Sequence, residues 1–328
     1  MNTSRLIRRA GPLGLYALAR QLTRYHPRIL MYHRFSETPR AGFVSAAAFE
    51  QQVAHIARHY RPVTLGTLIH QLREGSDIQP HTVVITVDDG YRDFYDVALP
   101  ILNKHRVPAT LFVTTGFVDG ALWLWPDQVQ WALDNATRKW ETLEVAGVSV
   151  IAGPDAWQRI IDILLGIPDG QKHAAIQELA TALGAQLPGQ APDVYASVTW
   201  EQLRTMRDAG IELGGHTHTH PTLPKVAPDG LAGEINYCLD RLDAELGTTQ
   251  RPFCYPNGQP DDFSQTVRDA VENAGFIGAV VAYADADTHT DLYALRRHSS
   301  SNGSFQFHKA ISGLEWLGRR ARQRGSVA

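Results

Sequence analysis

The sequence predicts an α/β protein built on parallel strands, and three observations point there. Short apolar runs of strand length, among them Ile29 to Tyr32, Val83 to Ile85 and Val107 to Val113, recur between stretches of helical periodicity. A strand, an amphipathic helix and a second strand in succession make the βαβ unit of a parallel sheet. The residues able to do chemistry also cluster just after these runs, where α/β proteins present their active sites.

The chain has 328 residues, 44% apolar and 20% charged, and is long enough to bury a large core without staples. Its formal net charge of -3 gives no reason to expect nucleic acid as a partner. Cys238 and Cys254 are the only cysteines, so no disulfide framework exists, and a reducing compartment suits them. No apolar run approaches the length of a membrane span.

In chain order, residues 1–27 form a basic amphipathic segment. Six arginines, from Arg5 to Arg28, precede the first acidic residue, with Leu6, Ile7, Leu13, Leu15, Leu18 and Leu22 among them. Gly11 to Gly14 and Arg20 interrupt any secretory signal, so the expected location is cytoplasmic. Two placements are open: a helix packed on the domain, or peripheral contact with an anionic membrane. Residues 304–328 repeat the pattern as a basic C-terminal helix, with Arg319, Arg320, Arg322 and Arg324 after Phe305 to Leu317.

Between these ends, residues 28–303 form the main domain. Ile29 to Tyr32 is the first strand and ends at His33, which is either a site residue or a structural histidine. Helices follow over 47–58 and 65–73, then the strand Val83 to Ile85, which runs into Thr86-Val87-Asp88-Asp89-Gly90-Tyr91. Adjacent residues of an extended chain point to opposite sides, so Asp88 and Asp89 are expected to do different jobs. One of them can bind a metal while the other titrates. The alternative is an ordinary Asp-Asp-Gly turn.

The helix carrying Phe94, Val97, Ile101 and Leu102 leads to the third strand, residues 107–113. Residues 117–198 read as an insertion with helices over 155–165 and 171–183. Its Trp123, Trp125 and Trp131 suit either a sugar-stacking surface or a helical core. Thr199 is the N-cap of the next helix, and Ile211 to Gly214 is a strand that ends at His216-Thr217-His218-Thr219-His220. A helical turn there would put His216 and His220 on one face, and extended chain would put all three histidines on one face. With an aspartate, two histidines make an open three-ligand site for a borderline divalent metal. The carboxylate left over favours hydrolysis, which needs a base beside the activated water, over oxygenase chemistry.

After a helix over 231–246, Arg251 to Gly258 contains a short strand and a Pro-Asn-Gly turn, where a backbone N–H can face a substrate oxygen. Arg251 is suited to fixing a carboxylate by a bidentate contact. A helix over 261–274, a strand from Phe276 to Val281 and a last strand from Tyr293 to His298 complete the domain, with His298 a second candidate acid.

Together these motifs resemble the polysaccharide deacetylase family, carbohydrate esterase family 4. The resemblance rests on Thr86-Val87-Asp88-Asp89-Gly90, His216-Thr217-His218-Thr219-His220 and, more loosely, Arg251 to Gly258, and it covers residues from about 29 to about 300. It implies a distorted (β/α)₇ barrel related to the TIM barrel, with the helical insertion between the third strand and the histidine motif. It implies Asp88 as general base and Asp89, His216 and His220 as ligands of a divalent metal, zinc before nickel, cobalt, iron or manganese. It also implies that the backbone N–H of Tyr255 binds the oxyanion and that Arg251 orients Asp88. Met31-Tyr32-His33 resembles the branch acting on bacterial exopolysaccharides, which favours His33 over His298 as the acid. The expected activity is removal of N-acetyl groups from amino sugars of a polysaccharide or other glycan. The alternatives are a deformylase or deacetylase of a lipid-linked sugar, a metal-dependent amidase on a small amide and a non-catalytic glycan-binding barrel.

Overall fold

A computed structural model describes residues 14–285 and 289–325. Seven short parallel strands carry the site: β1 (Arg28–Tyr32), β2 (Thr82–Val87), β3 (Thr110–Val113), β4 (Glu212–Gly215), β5 (Phe253–Cys254), β6 (Ala279–Val280) and β7 (His298–Ser299). They pair in the order β6-β5-β4-β3-β2-β1-β7, and a two-residue strand, Arg61–Pro62, adds to the lower half of β2. The row also returns on itself. Leu295, just before β7, bridges Val280 of β6 in parallel: the Val281 N–H donates to the Leu295 carbonyl at 3.0 Å, and the Leu295 N–H to the Ala279 carbonyl at 2.9 Å. Three residues later His298 pairs with Leu30 of β1. The sheet therefore closes into the seven-stranded distorted barrel that the motif resemblance implied.

Side-chain alternation divides each strand between the barrel interior and the helical layer. Ile29, Val84, Phe112, Cys254, Val280 and Leu295 form one buried cluster, plugged by Leu65, Leu68 and Ile69 of the helix Leu65–Arg73. Leu30, Tyr32, Val83, Ile85, Val87, Leu111 and Val113 face the other way, onto Phe49, Val53 and Ile56 of the helix Ala46–His59. Continued along the strands, the interior series reaches His33, Asp88, His216 and Arg297 at the C-terminal rim. At Gly214 a Cβ would stand 2.6 Å from Phe112 Cδ1 and from the Pro252 carbonyl oxygen, so only glycine lets Phe112 fill the interior there.

Helix starts follow their caps. Ser45, Thr64 and Ser264 accept from the N–H three residues on, and Thr199 makes the full capping box with Gln202. The helix expected after Asp89 begins as a π-turn, Phe94–Ala98, and becomes α-helical over Leu99–His105. Pro100 explains the wide turn: it has no N–H for the Asp96 carbonyl and its ring crowds that carbonyl.

The chain between β3 and β4 contains the helices Trp125–Asp134, Ala156–Gly166 and Asp169–Leu183, with a core of its own around Val129, Ile160, Leu164, Ile176 and Leu179. It also contains an antiparallel hairpin, Thr142–Val145 with Val148–Ile151, which the sequence reading did not anticipate. The turn is Ala146-Gly147, both at positive φ, and alanine is a weak signal for such a turn. Trp123 and Trp125 are buried, so they serve as core and not as a sugar platform.

At the N-terminal end the described part of the basic segment is the helix Leu15–Leu22. Of the arginines noted there, Arg5, Arg8 and Arg9 lie outside the described residues. The C-terminal segment forms two helices, Ser304–Ile311 and Leu314–Gly325, and packs against the first helix. Among the described residues no helix is long and apolar enough to cross a membrane.

Candidate metal centre and catalytic pocket

The ends of β1, β2 and β4 and the segment just before β7 converge on a pocket of about 200 Å³ that holds His33, Asp88, Asp89, His216, His220 and Arg297. Asp88 continues β2, and its N–H donates to the Tyr32 carbonyl at 3.0 Å. Asp89 then adopts φ 79° and Gly90 φ 91°. This left-handed turn brings both carboxylates into one pocket, contrary to the opposite-sided placement expected from an extended chain. Their partners nevertheless differ.

The Asp89 carboxylate Oδ1 lies 3.3 Å from His216 Nε2 and 3.4 Å from His220 Nε2. All three side chains are buried, and their ligand atoms lie within 4.8 Å of one another. The histidine motif is neither helical nor extended. Thr217 (φ 67°) and His220 (φ 61°) are both left-handed, which folds the segment into a tight turn and sends His216 and His220 to the same point. Positive φ is costly for a β-branched residue such as Thr217. Surrounding bonds hold it there: its hydroxyl donates to the His216 carbonyl and accepts the His220 N–H at 3.1 Å. Glu234, on the helix Pro228–Leu246, accepts from the N–H groups of His218 (3.2 Å) and Thr219 (2.9 Å) and from the Thr219 hydroxyl (2.8 Å). His218 points elsewhere, against Thr115 Oγ1 at 3.0 Å and the Tyr237 ring.

His216 Nδ1 lies 2.7 Å from the Cys254 carbonyl, which can only accept, so Nδ1 carries a proton and Nε2, beside Asp89, is the ring nitrogen left for a metal. Burial raises the Asp89 carboxyl, but the contacts of His216 and His220 outweigh it and hold the group well below the usual carboxylate range. Burial also lowers the His220 imidazole, which favours the neutral, ligating form. One carboxylate oxygen and imidazole nitrogens at this spacing fit a divalent ion with room for water.

Asp88 is held by Arg297, whose Nη1 and Nη2 donate to Oδ1 at 2.6 Å and Oδ2 at 2.8 Å. Arg297 is fully buried and is fixed further by the Thr86 hydroxyl at 3.0 Å and the Val281 carbonyl at 2.9 Å. Burial raises the Asp88 carboxyl, yet Arg297 and then His33 outweigh it and leave the group below its ordinary value. His33 Nε2 stands 3.6 Å from Asp88 Oδ2, and 46% of the His33 side chain is exposed at the pocket mouth.

Two expectations need correction. Arg251 does not orient Asp88. It precedes β5, at the end of the barrel away from the pocket, where its guanidinium pairs with Asp243 at 3.2 Å and donates to the carbonyls of Leu213, Leu242 and Gly247. The arginine on Asp88 is Arg297, which the sequence reading passed over. Tyr255 does line the pocket, but its N–H donates to the Val280 carbonyl across a long 3.4 Å and not into the cavity. His298 faces outward from β7 and pairs with Glu315 at 3.3 Å, so of the two candidate acids only His33 lies in the pocket.

The insertion is tied to this centre. Lys172 of the helix Asp169–Leu183 bonds Asp169 at 2.7 Å and Thr222 Oγ1 at 3.0 Å, just beyond His220.

The model of one family, polysaccharide deacetylase, matches residues 75–147 and 167–279, more than half of the chain. The chain belongs to the polysaccharide deacetylase family. Within it, the poly-beta-1,6-N-acetyl-D-glucosamine N-deacetylase of Escherichia coli (strain K12) is 32% identical over 77 residues, which is 23% of this chain and 12% of that protein. The chain thus aligns with about an eighth of the length of the curated relatives it matches. Among solved structures, the deacetylase PplD of Streptococcus pyogenes superposes with a TM-score of 0.59 at 19% identity, covering 90% of this chain and 99% of the other. IcaB from Ammonifex degensii superposes with a TM-score of 0.58 at 20% identity, covering 88% and 97%. At these identities the superpositions speak for this deacetylase-family fold alone.

Proposed function

We propose that this chain is a metal-dependent hydrolase that removes N-acetyl groups from amino sugars of a polysaccharide. The observation that carries the reading is the meeting of Asp89 Oδ1 with His216 Nε2 and His220 Nε2 at 3.3 and 3.4 Å, beside an Asp88 whose two oxygens are held by Arg297 at 2.6 and 2.8 Å. Family membership and a partial relative named for N-deacetylation of poly-N-acetylglucosamine support the substrate class.

Asp89, His216 and His220 would hold a divalent ion, zinc by preference for such a nitrogen and oxygen set. When bound, it would lower the pKa of water toward about 7 and polarise the acyl oxygen. Asp88 takes the proton of the attacking water as the new C–O bond forms. Arg297 is a positioning residue: its two bonds keep Asp88 ionised and aim its free lone pairs. His33 gives its proton to the amine as the C–N bond breaks, which leaves acetate and a free amino sugar. Asp88→Asn should lower acetate release from an N-acetylated oligosaccharide by about 10²–10⁴-fold with metal content unchanged. Undiminished release would reject the base assignment.

Peripheral contact with an anionic membrane belongs to the same reading. The helix Leu15–Leu22 exposes Leu18 and Leu22, with Tyr25 exposed just beyond and Arg20 and Arg24 alongside. Changing both leucines to serine should abolish flotation with anionic liposomes, and equal flotation would reject the contact.

A further inference from the structure

A second cavity adjoins the catalytic pocket. At about 200 Å³ the pocket falls below the roughly 300–1,000 Å³ of ordinary ligand sites, enough for the reacting acylamino group and little of the chain beyond it. The neighbouring groove, about 510 Å³, falls within that range. The two cavities share Pro126. The Tyr91 hydroxyl, from the wall of the pocket, donates to Asp127, in the wall of the groove, at 2.6 Å.

The groove lies between the loop after β1 and the insertion. Its aromatic surface comes from Phe43, Trp157 and Tyr195, and its polar rim from Arg40, Gln130 and Asp134. A pyranose presents C–H faces that pack on aromatic rings and hydroxyls that need planar amide, carboxylate and guanidinium partners. The Trp157 indole N–H is buried and has no acceptor among the described residues. The loop is pre-set. Arg34 lies over the ring of Tyr91 (3.7 Å) on the pocket side and over Phe43 (4.4 Å) in the loop, and it pairs with Asp93 at 2.7 Å. Little ordering would therefore accompany binding. Arg34 is taken by Asp93 and burial pushes the Asp127 carboxyl up to about 7, so Arg40 and Asp134 are the remaining charges of the groove, and this balance suits a neutral occupant better than a phosphate or a polyamine.

We infer that this groove is the subsite for the neighbouring N-acetylhexosamine unit of the polymer, with Trp157, Gln130 and Asp134 as its specificity-determining side chains. The inference rests on the polysaccharide reading above and adds to it a place for the rest of the chain, contributed by the insertion.

The test is calorimetric binding of an N-acetylglucosamine pentamer, its fully deacetylated form and the monomer to the metal-loaded full chain, set beside acetate release from pentamer and monomer. The expected result is that the acetylated pentamer binds best, and that Trp157→Ala weakens its binding about tenfold. Gln130→Ala and Asp134→Ala, on the outer part of their helix, should each weaken it less. All three should lower the pentamer-to-monomer ratio of kcat/KM. Unchanged pentamer binding in the variants would overturn the subsite, as would tighter binding of the deacetylated pentamer or an equal loss on monomer and pentamer. Pentamer binding that depends on Trp157 without acetate release from any substrate would keep the subsite and strike the catalytic reading instead.

Discussion

Arg297 decides what Asp88 can do. A carboxylate sealed in a barrel interior would take up a proton, and the bidentate guanidinium prevents that. Because the folded carboxyl lies below its unfolded value, the pair contributes stability that is present above the unfolded pKa of about 3.9 and lost as pH falls through the folded value. Arg297→Gln leaves a buried charge unpaired. It should cost about 3–5 kcal/mol at neutral pH, measured by denaturant unfolding. Burial alone would then raise the carboxyl, so the acid limb of the kcat/KM profile should move to higher pH. An acid limb that stays in place would show that Arg297 does not set the state of Asp88. Asp88, Asp89, His216 and His220 were legible in the sequence because each pair sits in a local motif after a strand. Arg297 was not, because its partner is 209 residues away and the dipeptide Arg296-Arg297 carries no pattern. Alternation from Leu295 held the missing signal, since it turns residue 297 inward and His298 outward. The same count puts Arg251 at the wrong end of β5.

At the scale of elements, the histidine turn is held from outside. Its backbone turns through two left-handed residues, and Glu234 on the following helix accepts three donors from it without touching the metal-binding atoms. Residues that orient ligands in this way commonly matter by about 10–100-fold in metal affinity. Glu234→Ala should lower affinity by that factor in a chelator competition while the protein stays folded, and unchanged affinity would show that the turn holds itself. The strands β1 to β3 could be read from apolar runs, and the start of the helix Trp200–Asp208 from its cap, Thr199. β5, β6 and β7 were blurred because only two residues of each make ladder bonds. The hairpin in the insertion was missed because its turn lacks the asparagine or aspartate that usually marks one.

For the whole molecule, closure of the barrel is what joins the site. Asp88 and Asp89 arrive on β2, His216 on β4 with His220 in the loop beyond it, and Arg297 on the last segment, which reaches β1 only because Leu295 first bridges β6. The catalytic set is thus a property of the ring and not of any one motif, and the insertion adds a second cavity at its rim. The most direct measurement is anomalous diffraction from crystals of the full chain grown with zinc. One peak should lie about 2.0–2.2 Å from Asp89 Oδ1, His216 Nε2 and His220 Nε2, with Asp88 still on Arg297. No peak there at saturating zinc, or an ion held by Asp88 in place of Asp89, would contradict the account.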